Sequence, residues 1–121
     1  MSWQNEIDEI HQRRALAKHQ GGAEAVDKHH AKGRLTIRER IDGLLDDNSF
    51  DEVGEGAGVP DYEENGKLKD FQPANFILGF GQLDGRKVIV GGEDFTVKGG
   101  SPNPAGLRKS VYTEELALQY K

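Results

Sequence analysis

Two apolar runs, Phe76-Ile77-Leu78-Gly79-Phe80-Gly81-Gln82-Leu83 and Lys87-Val88-Ile89-Val90, flank Asp84-Gly85, and this arrangement limits the possible folds more than any other. A type I′ turn needs positive φ at both central residues, which Asp-Gly tolerates, so the runs are expected to pair as an antiparallel hairpin. Few polar residues interrupt either run, which calls for cover on both faces. A chain of 121 residues, 35% of them hydrophobic, can hardly supply both covering layers. The core is expected to be small, or completed by surfaces the sequence does not contain.

The segments before the hairpin read as helices. Over residues 2–20, Trp3, Ile7, Ile10 and Ala17 form one narrow apolar stripe, with Ser2 as a cap and Gly21-Gly22 as the stop. So narrow a stripe needs a partner surface, and the segment is expected to be an arm packing on another subunit or on further chain. After the Ala-rich stretch 23–30, Thr36 and Glu39 make a capping box, each side chain accepting the other's free backbone N–H. Ile37, Ile41, Leu44 and Leu45 then fall at i, i+4, i+7 and i+8, predicting one buried helical face. Asp46-Asp47-Asn48-Ser49 ends it, and residues 50–53 predict a short strand. Residues 54–70, rich in Gly and acids, predict a long loop. Beyond the hairpin, a last helix is predicted with Leu107, Val111 and Leu118 on one face and no cap at its far end.

Several chemistries are excluded at this level. Without Cys there is no disulfide, thiolate zinc site, iron–sulfur cluster or cysteine nucleophile. The start lacks the basic and apolar regions of a secretory signal, and no apolar run approaches the ~20 residues of a membrane span, so a cytoplasmic protein, or a mitochondrial matrix protein if eukaryotic, is expected. The net charge of −5 is uneven, because residues 11–40 carry eight Lys or Arg against three acids and all four His. That pattern suits a local anion site or a docking face better than the broad positive field of a nucleic-acid binder. His29-His30 is not a metal pair, since adjacent helical side chains diverge by about 100°.

Two stretches could carry chemistry. The strand, Gly-rich loop and helix over residues 88–121 expose backbone N–H groups that would attract phosphates, carboxylates or an oxyanion, although no Walker loop or G-x-G-x-x-G occurs. Gly99-Gly100 would let a ligand approach the main chain; a plain connecting loop is the alternative. Lys32, Arg34, Arg38 and Arg40 straddle a helix start, and Arg34 with Arg38 could face one anion, with surface ion pairs as the alternative. Glu93 and Asp94 follow a strand end, where general bases often sit, but no partner is placed beside them by spacing.

His30-Ala31-Lys32-Gly33-Arg34-Leu35-Thr36-Ile37-Arg38-Glu39-Arg40-Ile41, followed by Leu44-Leu45-Asp46 and Ser49-Phe50, resembles the start of the carboxyltransferase β subunit of biotin-dependent acyl-CoA carboxylases, the propionyl-CoA and methylcrotonyl-CoA type. Residues 90–100, with Asp94-Phe95-Thr96-Val97 and Gly99-Gly100 before Ser101, give a second match in the family's order, and together the matches cover about residues 20–121. The resemblance implies an α/β fold, the start of a crotonase-like (ClpP/crotonase) ββα-repeat domain at 32–121, preceded by a helical arm at 1–31. It implies transfer of a carboxyl group from carboxybiotin, borne by a partner carrier, to the α-carbon of an acyl-CoA. Backbone amides would hold the enolate and the ureido oxyanion, with no catalytic side chain and no metal here. Expected partners are acyl-CoA, a biotin carboxylase or biotin carrier subunit, and further copies in a dimer or hexamer, with no nucleic acid or membrane. Lys32, Arg34 and Arg38 are the candidates for CoA phosphates, and Phe95, Thr96, Val97, Gly99 and Gly100 for the acyl-CoA pocket. The family's oxyanion-hole glycines would lie beyond Lys121, so the segment alone is expected to be inactive. Pro102-Asn103-Pro104-Ala105-Gly106 departs from many relatives, which bears on acyl specificity. The competing reading is a non-catalytic interaction module that uses the arm and the basic helix.

Overall fold

The computed structural model describes residues 2–101 and 103–120; Met1, Pro102 and Lys121 lie outside the described residues. Helices α1 (Gln4–Ala17), α2 (Ala23–Ala31) and α3 (Ile37–Leu44) precede strands β1 (Asp51–Val53), β2 (Gly58–Tyr62), β3 (Leu68–Pro73), β4 (Phe76–Leu83) and β5 (Arg86–Glu93), and helix α4 (Pro104–Tyr120) follows. The expected hairpin is β4–β5, with Asp84 at φ 51° and Gly85 at φ 79°. β1 pairs with the other edge of β4, giving an antiparallel sheet in the order β1-β4-β5.

Both faces of this sheet are covered by the chain's own helices, α3 on one and α4 on the other, against the expectation that the chain could hardly supply both layers. Alternation along the strands puts Ile77, Gly79 and Gly81 of β4 on one face with Val88, Val90 and Gly92 of β5. There Ile77 packs with Ile41 and Leu45, flanked by Ile37, Phe50, Val88 and Val90. The glycines let this cover approach closely: a Cβ at Gly81 would overlap Leu45, one at Gly92 would overlap Ile37, and one at Gly79 would strike the Asp51 carbonyl and the Phe50 ring. The opposite face is covered by α4, with the Phe80 and Tyr120 rings edge to face at 5.2 Å. Thr113 and Phe76 close over Gly91. Leu78, on that side, is fully buried.

Further expectations are corrected. The loop over 54–70 contains the hairpin β2–β3, whose turn holds Asn65-Gly66, with Gly66 at φ 83°. Its apolar residues are sparse because β3 needs only Leu68, Phe71 and Pro73 inward, while β2 faces mostly outward. α4 turns Gly106, Lys109 and Leu116 to the sheet and leaves Leu107, Val111 and Leu118 at least half exposed, so its buried face is not the apolar one. Leu44 is also 54% exposed, since α3 ends there and Leu45 is the residue that turns inward.

α1 is shorter than predicted at both ends, although Ser2 Oγ does accept from Gln4 N at 3.1 Å. It reaches the β2–β3 hairpin with its polar side. Arg13 donates to the Tyr62 hydroxyl at 2.7 Å and lies 5.2 Å from the Phe71 ring centre; Tyr62 in turn donates to Glu9 at 2.7 Å. Ala17 is buried, whereas Trp3, Ile7 and Ile10 remain exposed.

Gly79→Ala should therefore destabilise the chain by about 1–3 kcal/mol, because its Cβ meets backbone that cannot move aside. Gly43→Ala, in α3 with nothing nearby, should stabilise by about 0.5–1 kcal/mol. Urea unfolding of the two variants checks both signs.

Candidate functional site

A cleft of about 430 Å³ lies between the α2–α3 linker and the end of β5. His29, Arg34, Leu35, Thr36, Ile37 and Arg40 form one wall, and Phe76 with residues 92–96 forms the other. It joins the two stretches singled out in the sequence, which lie about sixty residues apart.

The first wall is held by local hydrogen bonds. Gly33, at φ 72°, closes α2 by donating its N–H to His30 O at 2.8 Å, and Arg34 N donates to His29 O at 3.3 Å. The capping box is present, with Glu39 N to Thr36 Oγ1 at 3.2 Å and Thr36 N to Glu39 Oε1 at 3.1 Å. A ring nitrogen of His30 also bonds Glu39, tying α2 to the start of α3. These bonds, led by the one to His30, hold the Glu39 carboxyl at about 2, well below its usual 4.5. Arg34 and Arg40 have no carboxylate within ion-pair distance among the described residues.

The second wall is built on buried polar groups. Asp94, 1% exposed, donates its N–H to Asn75 O at 2.8 Å. Its Oδ1 accepts from Thr96 N at 2.9 Å and from Thr96 Oγ1 at 2.6 Å, an Asx turn that reverses the chain after β5. The buried Asn75 amide donates to Ser101 O and so pins the far end of the loop. Phe95 is left 54% exposed at the cleft and its ring lies against Gly100.

The predicted site residues are distributed unevenly. Arg34, Phe95 and Thr96 line the cleft. Val97 is buried beneath the loop. Lys98, Gly99 and Gly100, all at positive φ, form a single 3-10 turn outside the cleft lining. Lys32 is exposed two residues before Arg34. Arg34 and Arg38 do not converge on one anion: Arg38 Nη2 bonds both oxygens of Glu52, at 2.7 and 3.1 Å, on the way to β1. At the helix start after the loop, Gly106 N is already taken, donating to Asn103 Oδ1 at 2.7 Å. Sequence reasoning passed over Asn75 and Lys109. Lys109 is 8% exposed and donates to Phe76 O at 3.1 Å; burial lowers its pKa from the ordinary lysine range. The Asp-x-Thr spacing at 94–96 was the available signal for Asp94.

Residues 28–121 match the carboxyl transferase domain. The chain belongs to the carboxyl transferase family. It is 35% identical over 116 residues to the α subunit of methylmalonyl-CoA decarboxylase from Veillonella parvula, covering 96% of this chain and 23% of that protein. It is 40% identical over 115 residues to the β5 subunit of a biotin-dependent acetyl-/propionyl-coenzyme A carboxylase from Mycobacterium tuberculosis, covering 93% and 21%. Among solved structures, the transcarboxylase 12S hexamer with methylmalonyl-coenzyme A superposes with a TM-score of 0.81 at 32% identity, over 99% of this chain and 24% of that one. The chain thus spans less than a quarter of each of these relatives. The α/β, crotonase-like fold that the resemblance implied is the one found, with β4, β5 and α4 forming a ββα unit after the three helices.

Stability of this carboxyl transferase segment should depend on Glu39 in acid. The folded pKa lies below the unfolded one, so the contribution is complete above about 4.5 and is lost as pH falls towards about 2. Urea midpoints of wild type and Glu39→Gln should therefore converge across that interval.

Proposed function

We propose that the chain supplies the opening part of a carboxyltransferase subunit and that the cleft beside Arg34 receives the acyl-CoA. The whole enzyme would move a carboxyl group from carboxybiotin to the α-carbon of the thioester. The observation that carries this reading is the convergence of Arg34 and Arg40 with Phe95 and Thr96 on one cleft, in a chain of this family. Two guanidiniums without carboxylate partners among the described residues suit the phosphates of CoA, and the exposed Phe95 ring offers an apolar surface to its non-phosphate part. Exposed Lys32 adds positive charge nearby. Arg38, bound to Glu52, supports the fold more directly than the ligand.

Biotin is a different matter for these residues. An oxyanion hole needs free backbone donors, but Gly100 N already donates to Val97 O at 3.0 Å and Ser101 N to Lys98 O at 3.1 Å. The amides of Gly100 and Ser101 are therefore not open to a ureido oxyanion. The loop's part in the reaction is to bind and orient the thioester. Donors for developing negative charge would come from elsewhere in the subunit, and the biotin carrier and biotin carboxylase from partner subunits or domains. The apolar stripe Trp3, Ile7 and Ile10, exposed on α1, would suit a contact with another copy of the chain or with further chain.

Arg34→Ala in the complete subunit should raise KM for acyl-CoA about tenfold and leave kcat near wild type, since a charged hydrogen bond contributes about 1.5–3 kcal/mol. Arg38→Ala should instead lower the melting temperature by breaking the Glu52 pair. Steady-state kinetics with acyl-CoA varied at saturating carboxybiotin, beside thermal melts, measures both. An unchanged KM in Arg34→Ala would count against phosphate recognition here.

A further inference from the structure

The joint between α1 and α2 touches the site loop. Gln20, at φ 55°, and Gly22, at φ 98°, turn the chain back on itself, and Gly21 between them is brought against the loop after β5. Gly21 N donates to Thr96 Oγ1 at 2.9 Å. The same hydroxyl donates its single proton to Asp94 Oδ1 at 2.6 Å, and Thr96 N donates to that oxygen as well. Thr96 is thus held from both sides, by the arm and by the end of β5. The approach is close: a Cβ at Gly21 would overlap the Thr96 carbonyl, so no larger residue fits without displacing one of the two backbones.

These contacts differ from ordinary core packing in where they act. Asp94 and Thr96 are both buried, at 1% and 8% exposure, yet they bracket Phe95, which is 54% exposed at the cleft. Buried polar groups in a low-dielectric setting are costly unless paired, and here the pairing partner for the hydroxyl comes from 75 residues away in the chain. Loss of the Gly21 contact would leave the Asx turn intact but free to shift with Phe95.

We infer that Gly21 and Asp94 are positioning residues, and that the N-terminal arm sets the placement of the Phe95–Thr96 turn at the cleft through Gly21, Thr96 and Asp94. The consequence for ligand binding rests on the reading of that cleft as the acyl-CoA site. The arm then has a role beyond any contact with other subunits, because its displacement would loosen the site.

Amide hydrogen exchange and steady-state kinetics on the complete subunit test this together. Gly21→Ala and Thr96→Val should each raise exchange at residue 96, Val97 and Gly100 about tenfold, with β4 and β5 amides unchanged. Both should raise KM for acyl-CoA several-fold at near-constant kcat. Thr96→Ser, which keeps the hydroxyl, should retain the protection, as should Asp94→Asn, which keeps the acceptor at Oδ1. If Gly21→Ala does not fold, Thr96→Val against Thr96→Ser decides the question. Unchanged exchange at these amides in Thr96→Val, or a loss spread evenly over the chain, overturns the inference. Local loss of protection with an unchanged KM upholds the joint and instead defeats the assignment of the cleft to acyl-CoA.

Discussion

Close approach of side chains to glycine-bearing strands is the constraint on which the rest of this structure depends. Leu45 against Gly81 and Ile37 against Gly92 set the distance between α3 and the sheet. Because Ile37 is the first residue of α3, its seat on Gly92 also brings the preceding linker beside the end of β5. Arg34 consequently meets Phe95 and Thr96 across one cleft. A larger residue at position 92 would lift the helix start and open that cleft, so packing and site geometry are one requirement.

Within the cleft, buried polar groups hold backbone in place and leave Arg34, Arg40 and Phe95 exposed. Asp94, Asn75 and Thr96 direct hydrogen bonds to the loop they support. Arg34 and Arg40 have no carboxylate within ion-pair distance among the described residues. On the proposed reading, this division suits a site that binds and orients a thioester.

α4 shows why helix faces in a segment of a larger fold can mislead. It packs Gly106, Lys109 and Leu116 on the sheet and turns Leu107, Val111 and Leu118 outward. A small residue and a lysine fit there because Gly106 lies against Asn75 and the Lys109 amine reaches the Phe76 carbonyl at the start of β4. Apolar periodicity marks a face that will be buried somewhere, but not which neighbour buries it. The same holds for Trp3, Ile7 and Ile10 on α1.

Local signals were legible wherever short-range chemistry decides the outcome. Asp84-Gly85 dictated its turn because both φ values must be positive, and Thr36 with Glu39 dictated a helix start because free N–H groups need acceptors nearby in the chain. The family motifs likewise marked Arg34 and the Phe95–Thr96 pair before any fold was known. The β2–β3 hairpin was missed although Asn65-Gly66 is the same kind of turn signal, because its two half-exposed strands leave little alternation to flank it. The separation of Arg38 from Arg34 was not legible, since it depends on Glu52 arriving from β1. The contact between Gly21 and Thr96 had no sequence signal at all. Sequence alone therefore determined the turns, caps and motif positions, which depend on neighbours a few residues away. Tertiary structure decided which faces meet and which charges pair, because those energies arise only when distant segments exclude water from between them.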